Sequence, residues 1–181
     1  MKKAFLTLSL LTVTLTLLAS CGQRAKAVDT QATSAEPEQT AVAETGLAPD
    51  FELPDLQGNP LKLSSLRGKY VVLDFWGSWC PWCIKGFPAL KASYAKHKEK
   101  MEVLGVDCHD SEAKWMAAVE EHALPWLQVR CPDDQLQALM QQYHIEGFPT
   151  KVVIDPEGKV AHVVVGENPA FYTYLDELFA K

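Results

Sequence analysis

The chain has 181 residues and carries 17 Lys and Arg against 23 Asp and Glu, a formal net charge of −6 at neutral pH. No basic patch interrupts that acidic balance, which excludes nucleic acid as a partner. Five cysteines, two of them in C-x-x-C spacing, direct attention to redox chemistry instead.

Lys2 and Lys3 precede Ala4 to Ala19, an apolar, threonine-rich stretch without a charge. It lies at the short end for crossing a bilayer, so residues 1–20 read as a secretory signal peptide rather than a membrane span. The stretch ends in Leu18-Ala19-Ser20-Cys21, which resembles the lipobox of bacterial lipoproteins. The resemblance implies cleavage before Cys21, a diacylglycerol on its thiol, and acylation of the new amine. Several acyl chains anchor stably where a single chain binds marginally. An ordinary signal with Cys21 incidental is the alternative. Gly22, standing where Asp would alter sorting, implies by the same resemblance the outer rather than the inner membrane, facing the periplasm.

Residues 21–46 join that cysteine to a segment with no aromatic residue and almost no large aliphatic. Such composition cannot bury enough surface to offset ordering entropy, and as a flexible coil it spans roughly 25–30 Å. It is a tether. Residues 47–181 have the size of one domain with its own core. Loss of Lys2 and Lys3 with the signal takes the net charge from −6 to −8.

Along that domain, PDFELPDLQGNPLKLSSLRGK has short apolar stretches around Gly58-Asn59, which predicts a hairpin. YVVLDFW (70–76) is a continuous apolar run of strand length, as in a strand buried on both faces. A helix should begin near Cys80, with Pro81 in its first turn, where proline loses no helical hydrogen bond, and a kink at Pro88. MEVLGV (101–106) predicts the next strand. SEAKWMAAVEEH predicts a helix capped by Ser111. Leu127 to Cys131 reads as a strand and Asp133 to Tyr143 as a helix. Lys151–Ile154 and Lys159–Val165 flank Asp155-Pro-Glu-Gly158 as an antiparallel pair, before a closing helix from Pro169 to Phe179. This alternation predicts an α/β domain with a mixed sheet.

DFWGSWCPWC (74–83) carries the chemistry. Cys80 should lie exposed at the start of a helix, where unpaired N–H groups and the helix dipole stabilise a thiolate, the nucleophilic form. Cys83, one turn later, can attack a mixed disulfide formed at Cys80 and release the partner. A zinc knuckle would need a second close pair, yet Cys108 and Cys131 are far apart in sequence and belong to different elements. A structural disulfide closing so short a loop gains little entropy. Haem attachment would want histidine at the position of Ile84. The redox reading remains. No metal site is expected from the five histidines, which match no ligand spacing.

The W-C-x-x-C stretch, the downstream Gly147-Phe148-Pro149-Thr150, the hairpin before the first strand and the longer middle segment 107–131 resemble exported TlpA/ResA-type thioredoxin-like thiol:disulfide oxidoreductases. The resemblance covers 47–181. It implies a thioredoxin-like fold with an N-terminal β-hairpin and a central insertion. It also implies Cys80 as attacking thiol, Cys83 as resolving thiol, and Pro149 as a cis-proline presenting the backbone of Phe148 to an extended substrate. An ordinary trans proline opening the next strand is the alternative. The only redox group implied is the Cys80–Cys83 pair, with no added cofactor.

Asp74 shares by alternation a face with Tyr70, Val72 and Trp76 inside the buried run. Burial raises a carboxyl's pKa, fitting it to take the Cys83 proton as general base. A strand-end aspartate facing water is the alternative. Relatives often carry Glu where this chain has Gly86, so Asp74 would act without it. The intervening Pro81-Trp82 differs from the thioredoxin dipeptide; a potential between about −270 and about −120 mV, nearer the reducing end, is expected. Trp79 and Trp82 flank the thiols as docking surface, though packing alone accounts equally for Trp79. Cys108 and Cys131 end successive strands, which leaves a second disulfide open if those strands are neighbours.

The function expected is a lipid-anchored oxidoreductase acting as a reductant on exported protein disulfides, fed by a membrane electron donor that the resemblance implies. A peroxiredoxin-like peroxidase is the second reading, weakened because Gly77 stands where the peroxidase pattern has Thr. A holdase without turnover is the third.

Overall fold

The computed structural model describes residues 46–180. The signal segment, Cys21 and nearly all of the tether lie outside the described residues. Among those described, no helix is long and apolar enough to cross a membrane.

The domain opens with an antiparallel hairpin, β1 (Glu52–Pro54) and β2 (Pro60–Lys62). Asp55 closes its turn by accepting the N–H groups of Gln57 (2.9 Å) and Asn59 (2.8 Å), while Gly58 takes φ +78°. That is the Asx-turn chemistry aspartate favours. A 3-10 turn, Leu63–Leu66, leads into β3 (Tyr70–Trp76). Helix α1 runs from Pro81 to His97, and Pro88 sits on its exposed side without ending it. There follow β4 (Met101–Asp107), α2 (Glu112–Glu121, with the Ser111 hydroxyl accepting the Lys114 N–H), β5 (Leu127–Arg130) and α3 (Asp133–Gln142). The chain ends in β6 (Thr150–Ile154), β7 (Val160–Val165) and α4 (Pro169–Phe179).

Five strands form one mixed sheet in the order β5-β4-β3-β6-β7. β3, β4 and β5 are parallel, whereas β6 and β7 run antiparallel to their neighbours. The central β3 is buried on both faces, which is why its sequence is continuously apolar rather than alternating. Its odd-numbered residues, Val71, Leu73 and Phe75, pack with Leu53 of the hairpin and Leu136 and Leu139 of α3. Val72 and Trp76 point the other way, into a cluster with Phe87 and Leu90 of α1 and Leu175 of α4. Asp74 lies between those two residues on the same face, so a carboxyl is placed in the α1 layer by strand alternation alone.

Candidate active site

Cys80 caps α1 with extended backbone (φ −96°, ψ 101°), and Pro81 fills the first helical position. The backbone N–H of Cys83 points at Cys80 Sγ from 3.1 Å, and the two sulfurs are joined as a disulfide. Helix-end donors of this kind favour negative charge on the atom they face. The expectation of an exposed Cys80 is corrected: the residue is only 3% accessible and Cys83 only 2%. Both pack in the α1-side cluster with Trp76 and Phe87, and Phe148 lies against that cluster too. Apolar neighbours thus cover most of the pair. Trp79 and Trp82, 48% and 57% accessible, form the open surface beside it.

The loop before Cys80 is held from the segment that follows β4. Gly77 packs so closely that a Cβ there would stand 2.8 Å from the Cys108 carbonyl and overlap the Trp79 indole. Asp110 accepts the backbone N–H of Ser78 at 2.6 Å and its hydroxyl at 2.7 Å. The Trp79 indole N–H donates to the Cys108 carbonyl at 3.0 Å. Edge contacts carry that ring onto Phe148 (5.1 Å) and His109 (5.9 Å). Trp79 therefore packs on one edge and remains open on the other, while Trp82 carries the Lys85 ammonium over its ring at 4.7 Å. The Phe148–Pro149 peptide is cis, and the Pro149 carbonyl accepts the Gly166 N–H at 2.7 Å.

Asp74 is 2% accessible, so it is a buried carboxyl and not a strand end facing water. Burial pushes its pKa up; the Lys151 ammonium opposes that shift and the Glu167 carboxylate adds to it. Lys151 Nζ lies 3.7 Å from Asp74 Oδ1 and 3.0 Å from Glu167 Oε2. Glu167 also accepts the Tyr172 hydroxyl at 2.8 Å.

Sequence reasoning missed Lys151, Glu167 and Tyr172. One signal was available, because a lysine inside the apolar strand TKVVI must find an anion if it is buried. It missed the loop-holding acids as well. Asp107 is wholly buried on β4 beside Trp76, and its pKa is pushed up to about 9 by burial and by the neighbouring Asp110 carboxyl.

The sign of its stability effect follows. The folded pKa stands above the unfolded value of 3.8, so stability from this group is full below that value and is lost as pH climbs toward about 9. Asp107→Asn, which cannot ionise, is expected to melt higher than the wild type at pH 8–9. The gap should close toward pH 4, at a slope of at most about 1.4 kcal/mol per pH unit. Thermal melts across that range check it; equal slopes would contradict the assignment.

Cys108 and Cys131 do follow neighbouring strands, yet in the structure both thiols are free. Each S–H donates to a backbone carbonyl at 3.6 Å, Cys108 to Val106 and Cys131 to Pro132. Burial pushes Cys131 up to about 11 and Cys108 higher still. Neither ionises readily near neutrality, so the second disulfide left open by the sequence is not formed here, and these thiols are packing groups.

The AhpC/TSA family profile matches residues 45–163. The thiol-disulfide oxidoreductase ResA of Bacillus anthracis is 34% identical over 122 residues, covering 67% of this chain and 69% of the relative. ResA of Geobacillus kaustophilus is 35% identical over 130 residues, or 71% and 73% of the two chains. Among solved structures, the thioredoxin domain of a thiol-disulfide oxidoreductase from Bacteroides vulgatus superposes with a TM-score of 0.71 at 33% identity, covering 76% of this chain and 98% of that one. A thiol:disulfide interchange protein DsbE from Chlorobium tepidum gives 0.69 at 31% identity, with 77% and 96% covered. A buried pair of cysteines at a helix start, on a sheet of this order, accords with such likenesses, and the chain belongs to the AhpC/TSA family as a thioredoxin-like thiol:disulfide oxidoreductase of the TlpA/ResA type.

Proposed function

We propose that the chain reduces disulfides of exported proteins from a lipid anchor at Cys21, with the Cys80–Cys83 pair as its only redox group. The observation that carries this reading is the Cys83 N–H directed at Cys80 Sγ at the start of α1, with Asp74 buried in the layer beneath. In the reduced protein, Cys80 thiolate attacks a substrate disulfide and forms a mixed disulfide, expelling one substrate thiolate. Asp74 takes the Cys83 proton; the new thiolate attacks Cys80 Sγ and expels the second substrate thiolate. Two electrons pass to the substrate, and the protein is left with its internal bridge.

Phe148, ahead of the cis peptide, offers its backbone to an extended substrate segment, while Trp79 and Trp82 supply apolar surface for docking. The reductant role calls for a membrane electron donor on the other side of the cycle, and the resemblance of residues 18–21 to a lipobox supports a position on the periplasmic side of the envelope. Reduction of insulin by catalytic protein with dithiothreitol tests the activity. Equilibration with glutathione tests the direction. A potential nearer about −270 than about −120 mV supports the reductant, and the opposite makes the chain an oxidant. Peroxide consumption outpacing insulin reduction would instead favour the peroxidase.

A further inference from the structure

Asp74, Lys151, Glu167 and Tyr172 meet beneath the first turns of α1, and they come from four different elements: β3, β6, the segment after β7, and α4. Two carboxyls share one ammonium. All but Glu167 and Tyr172 are almost sealed, with Lys151 and Asp74 side chains 3% and 2% accessible against 12% for Glu167. The ammonium is not shared evenly. It hydrogen-bonds Glu167 at 3.0 Å and stays 3.7 Å from Asp74, whose Oδ1 is left without any hydrogen bond. Glu167 is fixed in place by the Tyr172 hydroxyl, which also reaches the Gly86 carbonyl at 3.4 Å. It lies directly on Gly86, where a Cβ would overlap its carboxylate.

We propose that Glu167 is a positioning residue for the disulfide exchange: it draws the Lys151 ammonium off Asp74, and Gly86 is glycine because Glu167 occupies the space its side chain would fill. The inference rests on Asp74 serving as the base for Cys83. An acid bound closely to an ammonium is a weak base, since its charged form is already satisfied. By engaging Lys151, Glu167 leaves a lone buried carboxyl with a high affinity for a proton, which is what abstraction from a thiol requires. Its negative charge acts in the same direction through space. The ionisable groups acting on Asp74 from the elements around it are Lys151, Glu167 and Tyr172, and of these only Lys151 lowers its proton affinity.

The test uses the reduced full-length domain and 5,5′-dithiobis(2-nitrobenzoate). Attack by Cys80 releases the first chromophoric thiolate, and resolution by Cys83 releases the second. In Glu167→Gln the pH midpoint of the second phase is expected to fall by about one unit, with a several-fold lower plateau, because Lys151 then pairs Asp74. The first phase should keep its wild-type profile. Gly86→Ala, which expels the carboxylate sterically, should move the second midpoint the same way, and adding it to Glu167→Gln should shift nothing further. Unmoved second-phase midpoints in Glu167→Gln and Gly86→Ala would overturn the proposal. Asp74→Asn separates the two ideas. If that variant keeps the wild-type second-phase profile, the base itself is wrong; if it loses the profile while Glu167→Gln keeps it, only Glu167's role fails.

Discussion

Cys80→Ser is expected to abolish insulin reduction, by at least about a thousandfold, while leaving the fold and its melting temperature nearly intact. Serine occupies the helix cap as well as cysteine does, so the loss is chemical rather than structural. Cys83→Ser should fail differently. Cys80 still attacks, but no second sulfur stands one turn away to break the mixed disulfide, so the protein accumulates covalent complexes with its substrates. Run without reductant, such complexes appear as higher-mass species that dithiothreitol collapses; in cells, their identification gives substrate and direction together. Equal residual activity in both variants would contradict a division between attacking and resolving sulfur. Activity surviving Cys80→Ser would favour a binding protein without turnover.

Asp74→Asn is expected to slow resolution by about a hundredfold or more, in the range general bases contribute, while sparing the first attack by Cys80. The same substitution should stabilise the protein. Asp74 has its pKa raised by burial above the unfolded value of 3.8. Between those two values the folded chain holds a proton that the unfolded chain has released, so folding loses stability as pH rises through the interval. Asparagine has no charge to lose. The variant should melt above the wild type at pH 7, with the difference vanishing near pH 4 and growing by at most about 1.4 kcal/mol per pH unit between. A variant both slower and less stable at pH 7 would mean that the carboxyl is held ionised, contrary to its burial.

The strands and helices were legible because each carries its own signal. YVVLDFW gives β3 its two ends, and Pro169 to Phe179 gives α4 its limits. Elsewhere the ends moved by a residue: β4 takes in Asp107 and β6 begins at Thr150, both charged or polar positions that a hydropathy pattern excludes but tertiary contacts retain. The pairing of Cys80 with Cys83 was legible from spacing alone. Their cover was legible only in part: Phe87 follows Cys83 by one turn of α1, but Phe148 reaches the pair from a segment far along the chain. The charged network was the least legible part. Glu167 looks like an ordinary loop acid, and only the fold places it against Gly86 and Lys151. Asp110, likewise, reads as a polar residue near a helix start until Ser78 is seen to depend on it.

The proposed exchange needs an easily ionised sulfur at residue 80, at the N-terminal end of α1. The pH dependence of iodoacetamide alkylation at that residue in the reduced protein, followed by peptide mass, measures it directly. A half-maximal rate below about pH 7.5 is the expected result. A midpoint at about 8.5, that of an ordinary free thiol, would show that the helix end confers no acidity and that the proposed exchange has no nucleophile.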